Sequence, residues 1–246
     1  MFLFIFRMIA CVILFIIYFI FLFLIPNSWI GVFNRIMSGS LLTVSNFKKV
    51  RIKGFDRFQT LMQSPHKFLI VSNHISLYDG FVLLATLGNL GFLAHLNGMT
   101  MLPGMKKICK KLGSVFLDKK KGNSQTIIDH VNNRKAGDNV LVVFPDAMEK
   151  IPKTRSIAPF KSGAFVGKFD VLPVVIKYKG GDIDPTFKWY DGEGFITSVM
   201  KMFLDGNCEI LVEVMDLEGF SEYKDRSIEG YRDRIYDLMV HKYERM

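Results

Sequence analysis

The first 25 residues of the chain are almost entirely apolar, and Arg7 is their only charged residue. From Met8 the uncharged run continues to Ile25, close to the ~20 residues that a helix needs to cross the hydrocarbon core of a bilayer. The following residues, 26–29 (PNSW), lack the small-residue pattern of a signal-peptide cleavage site. The pattern therefore favours an uncleaved membrane-anchoring helix over a cleaved signal peptide.

A second segment, residues 28–47, places apolar residues at roughly helical intervals among Ser, Asn and Arg. This spacing predicts a short amphipathic helix lying at the membrane interface. We therefore divide the chain into residues 1–45, a membrane anchor with its interfacial helix, and residues 46–246, which have the usual size of one globular domain.

From residue 67 onward, short apolar runs rich in β-forming residues alternate with helical stretches. The predicted strands lie in residues 67–73, 91–96, 114–118, 139–145, 171–178 and 208–216. The predicted helices lie in residues 79–88, 104–113 and 124–137, with a charged surface helix over 227–246. This alternation is typical of an α/β fold with a central, mostly parallel sheet flanked by helices, here preceded by the N-terminal membrane-anchoring helix. Such sheets place their ligands at the carboxyl ends of the strands.

The formal net charge of +9 is compatible with nucleic acid, an anionic membrane or an anionic small substrate as partner. We find no nucleic-acid module pattern, and the anchor favours an anionic membrane surface; a basic face kept for solubility is the alternative. Basic residues after the anchor outnumber those before it, so the positive-inside rule places the globular part in the cytoplasm. They are Arg35, Lys48, Lys49, Arg51 and Lys53.

The first apolar run of the globular part stops at Ser72-Asn73-His74, and Asp79 follows His74 by five positions. A histidine beside a carboxylate can take a proton from an alcohol near neutral pH, because imidazole titrates there and the carboxylate fixes its tautomer. A loop histidine followed by a helix-start acid is the alternative. No further His, Cys or acid follows at ligand-like spacing, and the three cysteines lie far apart, so neither a metal site nor a disulfide framework is predicted.

Residues 73–79, NHISLYD, resemble the N-H-x-x-x-x-D signature of the glycerolipid acyltransferases, the lysophosphatidate acyltransferase-like family. Further blocks follow in that family's order. Residues 102–119 are similar to its second block, a proline-glycine, a helix and a Gly-x-x-Phe-x-x-basic strand, with Pro103, Gly104, Gly113, Phe116 and Lys119 at the motif positions. VFPDA at 143–147 resembles the F-P-E-G block, APFKSGAF at 158–165 the Phe-Lys-x-Gly-Ala stretch after it, and VLPVVI at 171–176 the terminal strand. The resemblance covers roughly residues 45–215.

The resemblance implies that His74 is the general base on an acceptor hydroxyl and that Asp79 supports it. The hydroxyl attacks the thioester of acyl-CoA or acyl carrier protein, so the implied co-substrate is a thioester and no separate cofactor is expected. The acceptor is a lysophospholipid, with lysophosphatidate, giving phosphatidate, as the first candidate. The other block residues are expected to bind substrate: Asn73, Lys119, Asp146, Arg155, Lys161 and Gly163.

The chain departs from the family pattern at the third block and at the end of the second. Asp146 and Ala147 stand where the family has glutamate and glycine, and the following Thr-Arg pair is displaced to Thr154 and Arg155. Lys119 replaces the usual arginine, and we expect it rather than Arg155 to hold an acceptor phosphate. These departures keep two alternatives open: an acyltransferase for another lyso-lipid acceptor, and a non-catalytic membrane lipid-binding protein of the same fold.

Overall fold

A computed structural model of the protein describes residues 2–76, 78–95, 105–117, 124–146, 157–180, 207–223 and 227–246. The helices are α1 (Phe2–Leu24), α2 (Ile30–Val44), α3 (Phe55–Gln63), α4 (Asp79–Thr86), α5 (Met105–Lys111), α6 (Ser124–Asn132) and α7 (Ile228–Arg245), with 3-10 turns at Asn27–Trp29 and Ser162–Ala164. The strands are β1 (Lys49–Lys53), β2 (Phe68–Ser72), β3 (Leu90–His95), β4 (Val115–Leu117), β5 (Val140–Val143), β6 (Asp170–Lys179) and β7 (Glu209–Val214).

The strands form one seven-stranded sheet in the order β1-β7-β6-β2-β5-β3-β4. The pairs β2–β6, β2–β5, β3–β5 and β3–β4 are parallel, with Ser72 opposite Val174 and Val71 opposite Val143. The predicted α/β fold with a mostly parallel sheet is thus confirmed. Because β2 and β6 run in the same direction, their carboxyl ends point toward the same edge of the sheet.

Residues 53–73, 89–175 and 213–246 form one compact unit. Its core is built on β2, whose five residues are all buried, as expected of a continuous apolar run in the middle of a parallel sheet. The α7 helix packs a buried stripe of Tyr231, Ile235 and Met239 against this core. The Tyr231 ring meets Phe220 edge to face, with the centroids 5.1 Å apart.

Two glycines of this unit allow a close backbone approach. A Cβ atom on Gly91 in β3 would lie 2.2 Å from the carbonyl oxygen of Gly113, closer than any side chain tolerates. Gly113 itself has a φ of +72°, the left-handed conformation that favours glycine, in the turn between α5 and β4. The backbone conformation of this turn therefore explains why Gly113 of the second sequence block is a glycine.

Residues 1–52, 74–88 and 176–212 form the second compact unit. Its helices α1 and α4 both pack against α2. The buried side chain of Asn34 in α2 accepts a hydrogen bond from the Tyr18 hydroxyl of α1 at 2.7 Å and donates one to the Gly88 carbonyl after α4 at 2.9 Å. One polar side chain thus joins all three helices. The division into residues 1–45 and 46–246 stays a prediction.

The α1 helix is the one helix, within the described part of the chain, that is long and apolar enough to cross a membrane. Most of its surface is exposed, which agrees with a membrane anchor. One stripe is different: Cys11, Tyr18 and Leu22 are buried, and the Phe15 ring meets Phe81 of α4 edge to face at 5.5 Å. One face of α1 therefore packs against other helices of the same compact unit.

The helix predicted over residues 28–47 is confirmed as α2. One of its faces is buried against other parts of the protein. Met37, Leu41 and Leu42 are buried, whereas Val32 and Ile36 are exposed on the helix. The expected contact with the membrane interface can therefore involve the exposed side of α2 but not its buried side.

Candidate active site

The segment from Asn73 to Asp79 links β2 to α4 and carries the predicted catalytic pair. The strand ends at Ser72, and α4 begins at Asp79, so that the carboxylate lies at a helix N-terminus, where negative charge is stabilised. His74 Nδ1 and Asp79 Oδ2 are 2.9 Å apart. The side chain of Asp79 is fully buried, while that of His74 keeps 18% of its surface exposed.

The Asp79 carboxylate also holds the backbone of this segment. Its Oδ2 accepts hydrogen bonds from the amides of Ile75 and Ser76, both at 2.7 Å, in addition to the contact with His74. Because a carboxylate only accepts, His74 Nδ1 is assigned as the donor of this contact, and in the neutral ring Nε2 then carries the lone pair. The ring is thus held in the tautomer that a general base on Nε2 requires.

The second carboxylate oxygen has a partner that the sequence motif does not contain. The Tyr178 hydroxyl of β6 donates to Asp79 Oδ1 at 2.7 Å. Burial and the neighbouring Asp79 charge raise the pKa of Tyr178 well above its usual range, so that the phenol remains a neutral donor. Burial likewise raises the pKa of the neighbouring Tyr78 to about 12.

Of the remaining substrate-binding candidates, Asn73, Asp146, Lys161 and Gly163 belong to the described residues. Asn73 is fully buried and directly precedes His74. Asp146 is also buried, whereas Lys161 and Gly163 are exposed. The Lys161 amide donates to the Pro145 carbonyl at 2.9 Å, which places the third block beside the stretch that follows it.

Gly163 lies in a three-residue 3-10 turn, and a Cβ atom there would meet nothing within 4 Å. Close packing therefore does not explain the glycine.

Six residues of the sequence blocks lie outside the described part of the chain. They are Pro103, Gly104, Lys119, Ala147, Thr154 and Arg155. Within the described part of the chain, no group of three or more His, Cys, Asp or Glu side chains is placed to hold a metal ion.

A second histidine–aspartate pair lies at the other end of β2. His66 precedes the strand, and its Nε2 lies 2.8 Å from Asp170 Oδ2. This imidazole is more exposed than that of His74, with 42% of its side-chain surface accessible. Since ligands of parallel sheets bind at the carboxyl ends of the strands, the His66 pair occupies the end at which no site is expected.

Comparison with known proteins agrees with the blocks found in the sequence. The sequence model of the Acyltransferase family matches residues 49–177, slightly more than half of the chain. The protein belongs to the acyltransferase family. The match includes His74 and Asp79 as well as the blocks around Gly113 and Phe160.

The chain is also similar to individual acyltransferases. The 1-acyl-sn-glycerol-3-phosphate acyltransferase of Saccharomyces cerevisiae is 25% identical to it over 151 residues, which are 58% of this chain and 48% of the yeast protein. The chain therefore matches about half the length of that relative. The crystal structure of the 1-acyl-sn-glycerophosphate (LPA) acyltransferase PlsC from Thermotoga maritima shares its fold, with a TM-score of 0.64 over 97% of each chain at 18% identity.

One residue of the candidate active site was not predicted from the sequence. Tyr178 lies 99 positions after Asp79, at the end of a predicted strand whose apolar residues stop at Ile176. Its signal was a polar aromatic residue near the carboxyl end of a predicted parallel strand. The pairing of β6 with β2, which makes that end relevant to His74, could not be read from the sequence.

Proposed function

We propose that this acyltransferase moves a fatty acyl group from an acyl thioester to the free hydroxyl of lysophosphatidate, giving phosphatidate. Family membership supports the reaction class. The names of the yeast and Thermotoga proteins support a 1-acylglycerol phosphate as the acceptor. The donor is acyl-CoA or acyl carrier protein, both of which present the same kind of thioester.

The observation that carries the proposal is the geometry of His74. Its Nδ1 is hydrogen-bonded to a buried carboxylate that two backbone amides fix in place. A histidine held in this way is suited to accept a proton on Nε2, because the imidazolium that forms is stabilised by Asp79. The partly exposed ring also leaves a surface at which a substrate can approach.

The proposed reaction is a direct transfer. His74 Nε2 removes the proton of the acceptor hydroxyl as its oxygen attacks the thioester carbonyl carbon. The tetrahedral intermediate then breaks its carbon–sulfur bond, and the imidazolium returns the proton to the departing thiolate. No covalent acyl-enzyme is needed, since the motif offers a base and no activated Ser or Cys beside it.

The departures in the third block favour a second candidate, acylation of another lyso-lipid. Asp146 replaces the family glutamate and is buried, and a shorter acidic side chain changes the shape of its surroundings. Lys119 replaces an arginine and binds phosphate as a point charge rather than through a bidentate fork. A non-catalytic lipid-binding role is the weaker alternative, because the hydrogen bonds of the His74–Asp79 pair are intact.

An acceptor panel separates these candidates. Purified protein is given one labelled acyl-CoA with lysophosphatidate, with lyso-lipids whose phosphate carries a headgroup, or with a monoacylglycerol. We expect thioester consumption and labelled product with lysophosphatidate first. A preference for another acceptor selects the second candidate, and no consumption with any acceptor, from either CoA or carrier-protein thioesters, favours the lipid-binding role.

The proposed placement is on a membrane, with α1 as the single anchor and the catalytic residues on the cytoplasmic side. The exposed apolar surface of α1 and the exposed basic residues Lys48, Lys49 and Arg51 support this orientation. An anionic membrane surface would then be a further partner. Protease protection in sealed inverted membrane vesicles tests the orientation, because cleavage of the globular part from the outside of such vesicles is expected.

A further inference from the structure

The Asp79 carboxylate uses its two oxygens for different partners. Oδ2 serves the active-site segment, with donors from His74 Nδ1 and from two backbone amides. Oδ1 accepts a hydrogen bond from the Tyr178 hydroxyl at 2.7 Å. The tyrosine therefore bonds to the carboxylate on the side opposite the histidine and touches no atom that reacts in the proposed step.

Tyr178 is placed firmly enough to orient a partner. Its backbone belongs to β6, a ten-residue strand. Its ring packs near the buried Phe47, with the centroids 6.0 Å apart, and Tyr78 meets the same Phe47 ring edge to face at 5.0 Å. The phenol has two side-chain torsions to fix, and the strand and this aromatic cluster restrict both.

The direction of this hydrogen bond has a chemical consequence. A neutral phenol that donates to one oxygen of a carboxylate withdraws negative charge from the group as a whole. Less charge then remains on Oδ2 to stabilise a proton on His74. Tyr178 thus opposes protonation of the base while it keeps the carboxylate from rotating.

We infer that Tyr178 is a positioning residue of the acyl-transfer site, which holds the Asp79 carboxylate in orientation and limits how strongly that carboxylate stabilises protonated His74. The inference rests on the proposed role of His74 as the base. No other group found in the described residues takes this position on Asp79 Oδ1. Tyr178 is not a catalytic residue, because it acts through Asp79.

The test is the pH profile of kcat/KM for Tyr178→Phe in the full-length protein, with Tyr78→Phe as the matched control. Tyr78→Phe removes a partly buried phenol from the same aromatic cluster. For Tyr178→Phe we expect kcat to fall by about tenfold, the scale of one charge-assisted hydrogen bond, with little change in the KM of the acyl donor. The acid limb should move to higher pH, because Oδ2 then stabilises the imidazolium more strongly. Tyr78→Phe should leave the midpoint of that limb in place.

A second variant should shift the acid limb in the opposite direction. It also keeps the test valid if the Tyr178→Phe protein does not fold. Replacement of Tyr178 alone by 3-fluorotyrosine keeps the shape of the ring and makes the hydroxyl a stronger donor. The acid limb should then move to lower pH. Opposite shifts in the two variants support the inference, since a purely structural role would reduce the active fraction without moving the midpoint.

The outcomes separate this inference from the proposed function. An unshifted limb in both variants, with His74→Ala inactive, overturns the role of Tyr178 and leaves the general base intact. Full activity in a folded His74→Ala protein overturns the general base and with it the role of Tyr178. A shift of equal size in Tyr78→Phe also overturns the inference, because it would assign the effect to the aromatic cluster as a whole.

Discussion

Asp79 has a structural role and, in the proposed mechanism, a chemical one. It anchors two backbone amides of the segment between β2 and α4, and it orients the His74 ring. An asparagine can perform the first task, because its carbonyl oxygen accepts from the same donors and its NH2 group can face Tyr178, whose oxygen also accepts. It cannot perform the second task fully, because a neutral amide does not stabilise an imidazolium.

We therefore predict that Asp79→Asn folds normally but transfers acyl groups at least about a hundredfold more slowly, within the range of general-base effects. The KM of the acyl donor should change little. Steady-state kinetics and circular dichroism on the same preparation check both parts. Wild-type turnover would instead assign Asp79 to helix initiation alone.

Two basic residues, Lys119 and Arg155, are candidates for binding the phosphate of the acceptor. In the sequence Lys119 comes two positions after the end of β4, whereas the displaced Arg155 departs from the family spacing. We predict that Lys119→Ala raises the KM of lysophosphatidate by a larger factor than Arg155→Ala does, with the donor KM unchanged in both. The reverse order would show that the displaced segment restores the family phosphate site, and no effect in either would argue against a phosphate monoester as acceptor.

The sequence predicted the His74–Asp79 contact because both partners lie on one short connection, where five residues limit how far they can separate. It did not predict Tyr178, because that contact depends on which strand pairs with β2. The displaced Arg155 illustrates a further limit. A motif predicts the position of a residue only when the spacing to its neighbours is kept.

At the scale of helices and strands, continuous apolar runs were the reliable signal. The buried strands β2, β5 and β6 were all predicted from them. The strand β1 was missed, because Lys49, Arg51 and Lys53 alternate with two apolar residues and were interpreted as a basic flank. Its alternating burial is that of an edge strand, where charged side chains discourage pairing with other chains. The following α3 was missed as well, because it is short and begins after a left-handed glycine.

The contact of α1 with α2 changes what is expected when the anchor is removed. Deletion of an anchor that made no contact with the rest of the chain would weaken membrane association and leave the α/β domain folded. The structure shows that deletion also removes the Tyr18 hydroxyl from buried Asn34 and the Phe15 ring from Phe81. We therefore expect the protein without residues 1–25 to be less stable as well as less firmly bound to membranes.

A single substitution isolates this contact. Tyr18→Phe should lower the free energy of unfolding by about 1–3 kcal/mol, the cost of leaving a buried amide oxygen without its donor. Ile16→Val, on the exposed side of the same helix, is the control and should be nearly neutral. Denaturant unfolding in detergent measures both. Equal stability of the two variants would mean that Asn34 finds another donor.

At the scale of the whole molecule, three of the eight tyrosines link stability to alkaline pH. Burial raises the pKa of Tyr78 to about 12, and it also raises the pKa values of Tyr178 and Tyr231 well above the usual range of tyrosine. Each holds its proton more tightly in the folded chain than in the unfolded chain, where the pKa of tyrosine is about 10. Their contribution is therefore complete below about pH 10 and is lost as the pH rises through the folded-state values.

We predict that the free energy of unfolding falls above about pH 10, by up to about 1.4 kcal/mol per pH unit for each proton that only the folded chain retains. Ultraviolet absorbance of tyrosinate should show fewer ionised tyrosines in the native protein than in denaturant at the same pH. If all tyrosines ionise alike in both states, the three phenols are more accessible to water than the structure indicates.

The central claim is that His74 is the base of an acyl transfer, and the two histidine–aspartate pairs of β2 allow a matched test. His74→Ala and His66→Ala each remove an imidazole bonded to a carboxylate, at opposite ends of the same strand. We measure thioester consumption from acyl-CoA with lysophosphatidate for both variants, after circular dichroism has shown that they fold. Turnover should fall by about 10²–10⁴ in His74→Ala and stay near that of the wild type in His66→Ala. A folded His74→Ala protein with near wild-type turnover would contradict the mechanism.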